Sequence, residues 1–363
     1  AATEALALGD LDGDGDLEIV AGTKVATSDE RARVFVWHHT GDILDGWPKR
    51  VRRSEYCSDL SQVRSVALAD VDGDGELEVL AGAINNAVNY SGPDRPETPN
   101  LYAWEADGTL LPGDWPNATA AIYGVIAASD FIGDEKANVV TGRDHQRLHA
   151  YLDDGSPLPG WPISTFLDAN EGSVGQDTRI VHFNSAPVIA DLEGDGTSEY
   201  IVSGNVKYPG ENAVRNSGLL VLEADGTRQP GWETAALGDG ILYNRLLPRK
   251  APAIADLDQD GQLEIVVAPY DGWIRAYKHD QTLLWAFNFA QGDTIFASEP
   301  VVGDIDGDQS LEVLFGTYDP TRESDRVGVW GLEAVGALIS GCPLLTCQAG
   351  LRVAPTLADL DNH

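Results

Sequence analysis

Asp10, Asp12, Asp14 and Glu18 fall at positions 1, 3, 5 and 9 of one short loop, with Gly15 at position 6 and Asp16 at position 7. Alternate side chains of a tight loop point inward, position 7 can add its backbone carbonyl, and a glycine at position 6 permits a left-handed turn between them. Such an all-oxygen set suits one hard cation. Calcium fits it better than magnesium, which prefers a smaller octahedral shell with retained waters. An EF-hand is not expected, because helical patterns do not flank the loops and position 12 is Ala21 or Ala81 rather than glutamate.

The loop recurs as Asp70, Asp72, Asp74, Glu76 and Glu78, and as Asp191, Glu193, Asp195, Thr197 and Glu199. It recurs again as Asp256, Asp258, Asp260, Gln262 and Glu264, and as Asp304, Asp306, Asp308, Ser310 and Glu312. So many repetitions of one ligand spacing argue against hairpin bends that are merely acidic, and about five calcium sites are expected. In the last of these copies Gln309 replaces the turn glycine, which should strain or weaken the loop without abolishing binding. Another copy fails. Asp130 and Asp134 remain, but Ile132, Glu135, Lys136 and Asn138 take the other places, and the Lys136 ammonium is expected to stand in for the metal. A final copy opens with Asp359 and Asp361. The expected role of the ions is structural, since packed carboxylates repel and a bound cation reverses the sign of that interaction.

The elements that must hold these loops are strands. The leading aspartates, Asp10, Asp70, Asp130, Asp191, Asp256, Asp304 and Asp359, stand 48 to 65 residues apart. That interval exceeds a helical solenoid repeat and fits a four-stranded propeller blade with enlarged loops. In each unit a short apolar strand precedes the acidic loop, as in Ala186–Ala190 or Ala251–Ala255. A second follows it, as in Glu18–Ala21, Glu78–Ala81 and Glu264–Val267. These runs are continuously apolar, as expected of strands covered on both faces. A third strand reads Val34–Trp37, Leu101–Trp104 or Leu148–Tyr151, and Asp-Gly turns at Asp107, Asp154 and Asp225 mark the following hairpins. The fourth strand ends at Trp47, Trp115, Trp161 or Trp232, whose recurrence in register argues for packing between blades rather than sugar stacking. In the sixth unit Cys342 falls where the tryptophan would be. Cys347 lies five residues on, so a local disulfide is expected to replace the aromatic anchor, with Cys57 left over.

The fold expected is all-β, a β-propeller of four-stranded antiparallel blades forming one domain over residues 1–363, with units starting near 5, 65, 125, 186, 251, 299 and 354. Seven blades with the last incomplete, or six blades and an extra strand, both satisfy the repeat count. The whole chain resembles the FG-GAP/VCBS repeats found in integrin α propellers and in bacterial secreted and surface proteins. The resemblance rests on the Asp-x-Asp-x-Asp-Gly-x-x-Asp/Glu loops between the first two strands of each unit. It implies calcium in those loops and recognition of proteins or glycans. The long integrin cage motifs are not recognisable, and the Trp-Pro endings look more like the bacterial branch.

The formal net charge of −34 disfavours nucleic acid and anionic membrane as partners. Hydrophobic residues at 43% exclude a disordered polyanion, and no apolar run approaches the ~20 residues of a membrane span. An extracellular or cell-surface place, within a larger secreted or surface protein, is expected.

Strand order puts the acidic loops and Asp-Gly turns at one end of each blade and the long connections at the other. Long loops on a rigid scaffold are where recognition usually sits. These connections carry Arg52, Arg53, Tyr90, Arg95, His182, Tyr208, Arg215, Tyr243, Arg245, Tyr318 and Arg322, aromatic and cationic groups that would suit a glycan or an acidic protein partner. A non-catalytic adhesion or recognition module is the leading reading. The rival is a polysaccharide lyase or hydrolase on the same scaffold, with His182 or Tyr243 as base and Arg245 or Arg215 neutralising a uronate. The seven histidines show no metal or triad spacing along the sequence, and no Gly-x-Ser-x-Gly elbow is present.

Overall fold

The computed structural model describes residues 2–24, 32–51, 62–84, 99–117, 122, 124–142, 147–164, 179–181, 187–207, 216–232, 251–269, 271–321, 324, 326–345, 350–351 and 354–357. Among these residues the structure is all strand and turn. Among them no helix is long and apolar enough to cross a membrane. The chain divides into two compact units, Ala1–Thr165 with Val181–Pro187, and Phe166–Ile180 with Val188–His363.

In the first unit, β1 (Ala2–Gly9), β2 (Glu18–Lys24), β3 (Arg33–Trp37) and β4 (Lys49–Arg50) form an antiparallel meander. Next come β5 (Gln62–Ala69), β6 (Glu78–Ile84) and β7 (Leu101–Trp104), joined to the first meander by the single pair Lys24↔Gln62. A four-stranded sheet follows, from β8 (Ile126–Ser129), β9 (Asn138–Gly142), β10 (Arg147–Tyr151) and β11 (Ile163–Ser164).

In the second unit, which takes all but the last residue of β12 (Arg179–Val181), β12 and β13 (Val188–Ala190) flank β14 (Glu199–Lys207), which also pairs with β15 (Asn216–Leu222). The next meander is β16 (Ala253–Ala255), β17 (Glu264–Val267), β18 (Trp273–Tyr277) and β19 (Leu283–Asn288). β20 (Phe296–Ala297) and β21 (Val301–Gly303) both pair with β22 (Glu312–Tyr318), and β23 (Gly328–Leu332) and β24 (Leu344–Leu345) complete the sheet. Among the described residues the expected blade order of strand, acidic loop, strand, connection, strand and turn is present, with an outer strand at β4, β11, β19 and β24 and only isolated bridges after β7 and β15.

The second strand of each blade is the most enclosed. All seven residues of β6 are buried, and so are all five of β9. These strands put β-branched and small residues on both faces, which is why they read as continuous apolar runs rather than alternating ones. The core of the first two blades gathers Val20, Val34, Val36, Val63, Val79 and Tyr102.

Consecutive blades within each unit are stitched by tryptophan. Trp47 donates its indole N–H to the Ala106 carbonyl at 2.7 Å, and Trp115 donates to Asp153 at 2.7 Å. In the second unit Trp232 donates to His279 at 2.6 Å. Each acceptor lies in the third-to-fourth turn of the following blade, so the recurring tryptophans do pack between blades. Trp161 is buried against Phe131. Trp285, on β19, makes the same bond to Ala334 at 2.8 Å, although its sequence context lacks the Gly-Trp-Pro signature. Among the described residues Cys342 has no disulfide partner, and Cys347, expected to pair with it, and Cys57 lie outside the described residues.

The seam also explains the glycine before Trp47. Gly46 has φ 88, and a Cβ added there would stand 1.9 Å from the Asp107 carbonyl oxygen of the next blade. Gly46→Ala therefore needs both a strained backbone and a displaced turn. It is expected to destabilise the chain by about 2 kcal/mol or more, read as a lowered urea midpoint at unchanged slope.

Candidate metal centres

Each acidic loop is shaped by its own carboxylates. Asp10 accepts the Gly13 N–H at 2.9 Å through one oxygen and the Gly15 N–H at 3.1 Å through the other. Asp70 repeats both bonds with Gly73 and Gly75, and Asp191 with Gly194 and Gly196. Position 5 accepts the N–H of position 7 throughout: Asp14 from Asp16, Asp74 from Glu76, Asp195 from Thr197, Asp260 from Gln262, Asp308 from Ser310. Two residues per loop are left-handed, not one. Gly13 and Gly15 have φ 71 and 91, and the fifth loop places Gln259 (φ 60) at position 4. Gln309 takes φ 73 at position 6 of the sixth loop, a conformation that glycine adopts without the penalty other residues carry.

The glutamate at position 9 is the buried floor of the site. Glu18, Glu78, Glu199, Glu264 and Glu312 are at most 1% exposed. One oxygen of each accepts the N–H of position 2: Leu11 at 2.8 Å, Val71 at 2.5 Å, Leu192 at 2.6 Å, Leu257 at 2.8 Å and Ile305 at 2.8 Å. The other oxygen of Glu78, Glu199, Glu264 and Glu312 is buried with no hydrogen-bond donor among the described residues. A bare carboxylate oxygen in that position is unfavourable. Burial, with nearby carboxylates adding to it, pushes Glu78 and Glu199 up to about 7 and raises Glu264 and Glu312. An oxygen of Glu78 lies within 4.8 Å of oxygens of Asp70 and Asp72, and the triads Asp10–Asp12–Asp14, Asp256–Asp258–Asp260 and Asp304–Asp306–Asp308 converge as closely. A divalent cation is the group that these hard, anionic and partly unsatisfied donors fit.

The third loop fits no such ion. Asn138 takes the place of the glutamate and accepts the Phe131 N–H at 3.4 Å, with no charge to compensate. Glu135 holds the left-handed position with φ 67. Lys136 reaches Asp153 in the adjoining turn at 2.5 Å, so an ammonium does answer a carboxylate here, on the turn rather than on the loop's own aspartates.

Sequence spacing missed the residue that opens the third-to-fourth turn. His38, Glu105, Leu152, Glu223, Lys278 and Glu333 all occupy this place, each donating its N–H to the carbonyl four residues on, at 2.8 to 2.9 Å. His38 Nδ1 lies 3.3 Å from Glu18 Oε1 and 3.5 Å from Asp12 Oδ2, so one histidine joins a metal-ligand cluster after all. Glu105 is raised by burial and then by Asp72 and Asp74 of the second loop, and Glu223 by burial and then by Glu193 of the fourth. Lys278 donates to Asp258 at 2.6 Å and to Asp260 at 2.8 Å. Strand pairing carries these side chains to the loops from about 20 residues away in sequence, as in His38 with Glu18 and Lys278 with Asp258.

Of the residues expected on the opposite end, Tyr318 closes β22 and packs on Phe296 with ring centres 5.7 Å apart. Arg52, Arg53, Tyr90, Arg95, His182, Tyr208, Arg215, Tyr243, Arg245 and Arg322 lie outside the described residues, as do Asp359 and Asp361 of the last copy.

The FG-GAP-like repeat family model matches residues 10–81 and 256–315, which hold the first, second, fifth and sixth loops. It leaves out the failed third loop and the fourth, although the fourth is built by the same hydrogen bonds. Among solved structures, BamB from Moraxella catarrhalis is similar at 15% identity and a TM-score of 0.51, over 97% of this chain and 78% of that one. The V. cholerae biofilm matrix protein Bap1 aligns at 13% identity and a TM-score of 0.36, over 98% and 85%. The exotype rhamnogalacturonan lyase YesX aligns at 14% and 0.44, over 93% and 74%. At such identities the likeness is one of fold alone. No curated protein matches the chain. The blade-like sheets show a β-propeller fold, and the matched segments with their repeated loops support an FG-GAP-like repeat as its unit.

Proposed function

We propose that this propeller is stabilised by calcium in its acidic loops and acts outside the cell as a non-catalytic recognition module for a glycan or protein ligand. The observation that carries the calcium reading is the buried, donorless oxygen of Glu78, Glu199, Glu264 and Glu312 beside converging aspartates. Asp10, Asp12, Asp14 and Glu18 would hold one ion, the matching residues of the second, fourth and sixth loops would hold theirs, and the fifth loop offers the same carboxylates. When bound, calcium supplies charge neutralisation and no chemistry. The loop residues set the backbone, and position 9 anchors the second strand to the loop.

The recognition reading rests on strand order. Within each blade the acidic loops meet the third-to-fourth turns, as in Lys278 with Asp258 and His38 with Glu18. That end is crowded with structural carboxylates, which leaves the long connections of the other end for a partner. A larger secreted or surface protein is the setting such a module suits.

A glycan array probed with calcium-loaded protein, paired with a uronate-release assay, tests this. Retention of an acidic or neutral glycan, or of a protein partner, without product is expected. Release of an unsaturated uronate at enzymatic turnover overturns the non-catalytic reading.

A further inference from the structure

The loops share their ligands but differ in what faces them. The residue opening the third-to-fourth turn is Glu105 at the second loop, Glu223 at the fourth and, by register, Glu333 at the sixth. At the fifth loop it is Lys278, whose ammonium bonds Asp258 at 2.6 Å and Asp260 at 2.8 Å. Those are the position 3 and position 5 carboxylates, which converge with Asp256 as a potential ligand set. A fixed positive charge there neutralises part of the set and repels an arriving divalent ion. Lys278 does not complete the site, because the second oxygen of Glu264 stays buried without a donor. The loop therefore keeps its geometry for a metal while its outer aspartates are engaged by a side chain.

We infer that Lys278 is a tethered cation holding the fifth loop, and that the residue opening each third-to-fourth turn decides whether a divalent ion is admitted beside it. A carboxylate admits the ion and an ammonium excludes it. This rests on the calcium reading above and sharpens it, because the second and fifth loops share the residues at positions 1, 3, 5, 6 and 9 and yet are expected to differ in occupancy through the residue that faces each, Glu105 or Lys278. The third loop shows the same economy by another route, with Lys136 bonded to Asp153 next to Leu152 and an uncharged Asn138 below.

The test counts calcium on the full chain by equilibrium dialysis and elemental analysis, at a free calcium concentration that just saturates the tight sites. The unaltered chain is expected to hold about four ions, with the fifth loop at least about tenfold weaker. Lys278→Gln is expected to gain one tight ion, and Glu105→Lys, which copies the fifth-loop arrangement onto the second, to lose one. Thermal melts with and without calcium report folding for both variants, and should Lys278→Gln fail to fold, the Glu105→Lys count decides. An unchanged count in the variants overturns the inference, and so does an unaltered chain whose five loops fill with equal affinity. Either result leaves calcium binding itself intact. A chain that holds no calcium in any form overturns the calcium reading instead.

Discussion

Trp232→Ala is expected to lower stability by about 3–5 kcal/mol, the range for removing a buried tryptophan. Trp232 is 0% exposed, the largest fully enclosed side chain among the described residues. It sits among Leu192, Ile201, Leu219, Val221 and Ile265, drawn from two consecutive blades of the second unit. Its indole N–H also donates to the His279 carbonyl of the next turn. Alanine removes the ring, leaves a cavity and strips that carbonyl of its donor. Neighbouring strands are held by ladders on both sides, so the cavity has little room to collapse. Trp232→Phe separates the terms: it keeps most of the apolar volume and loses the hydrogen bond, at about 1–2 kcal/mol. Urea unfolding of the three chains checks this ordering. A Trp232→Ala midpoint equal to that of the parent shows that the seam carries no stability. Such an outcome also undercuts the reading of the recurring tryptophans as blade-to-blade anchors.

That seam was legible because it repeats. Trp47, Trp115, Trp161 and Trp232 fall at the same place in successive units, and repetition in register marks a packing position. Trp285 escaped the same reading because it stands inside β19, without the Gly-Trp-Pro context, yet reaches Ala334 by the same bond. The acidic loops were legible for a similar reason, since each ligand set is local, confined to nine residues. What spacing could not show is what strand pairing brings in from outside. Lys278 lies 20 residues from Asp258 along the chain and 2.6 Å from it in space. His38 stands in the same relation to Glu18. Only the register of the second and third strands fixes these meetings, and register is a property of the sheet. The second left-handed position of each loop was missed for a different reason. Position 4 is glycine in most copies and so drew no notice, whereas Gln259 shows that the backbone there demands φ > 0 whatever the residue.

Removing calcium is expected to lower the melting temperature by more than about 10 °C near pH 8, where each site filled to 100 times its dissociation constant contributes about 2.7 kcal/mol. The pH dependence of the stripped chain carries the sharper signature. Burial raises Glu78 and Glu199 from 4.5 to about 7 in the folded, metal-free state. A carboxyl raised on folding binds its proton more tightly in the native state, so its contribution is complete below about pH 4.5 and is lost as pH climbs to about 7. The stripped chain should therefore be more stable near pH 5 than near pH 8. Asp107, Asp154, Asp195, Asp225, Asp280 and Asp304 are shifted the other way, mostly by hydrogen bonds from their own turns. Their contribution is lost only as pH falls below the ordinary 3.8, outside this window. Calcium inverts the slope, because it binds the ionised glutamate and must displace the proton to do so. Its affinity should rise roughly tenfold per site between about pH 6 and about pH 8 at the second and fourth loops. Melts in calcium and in EDTA at both ends of that range measure the two slopes. Coincident melts near pH 8, or a stripped chain that gains stability from pH 5 to pH 8, mean that the buried glutamates are not waiting for a cation.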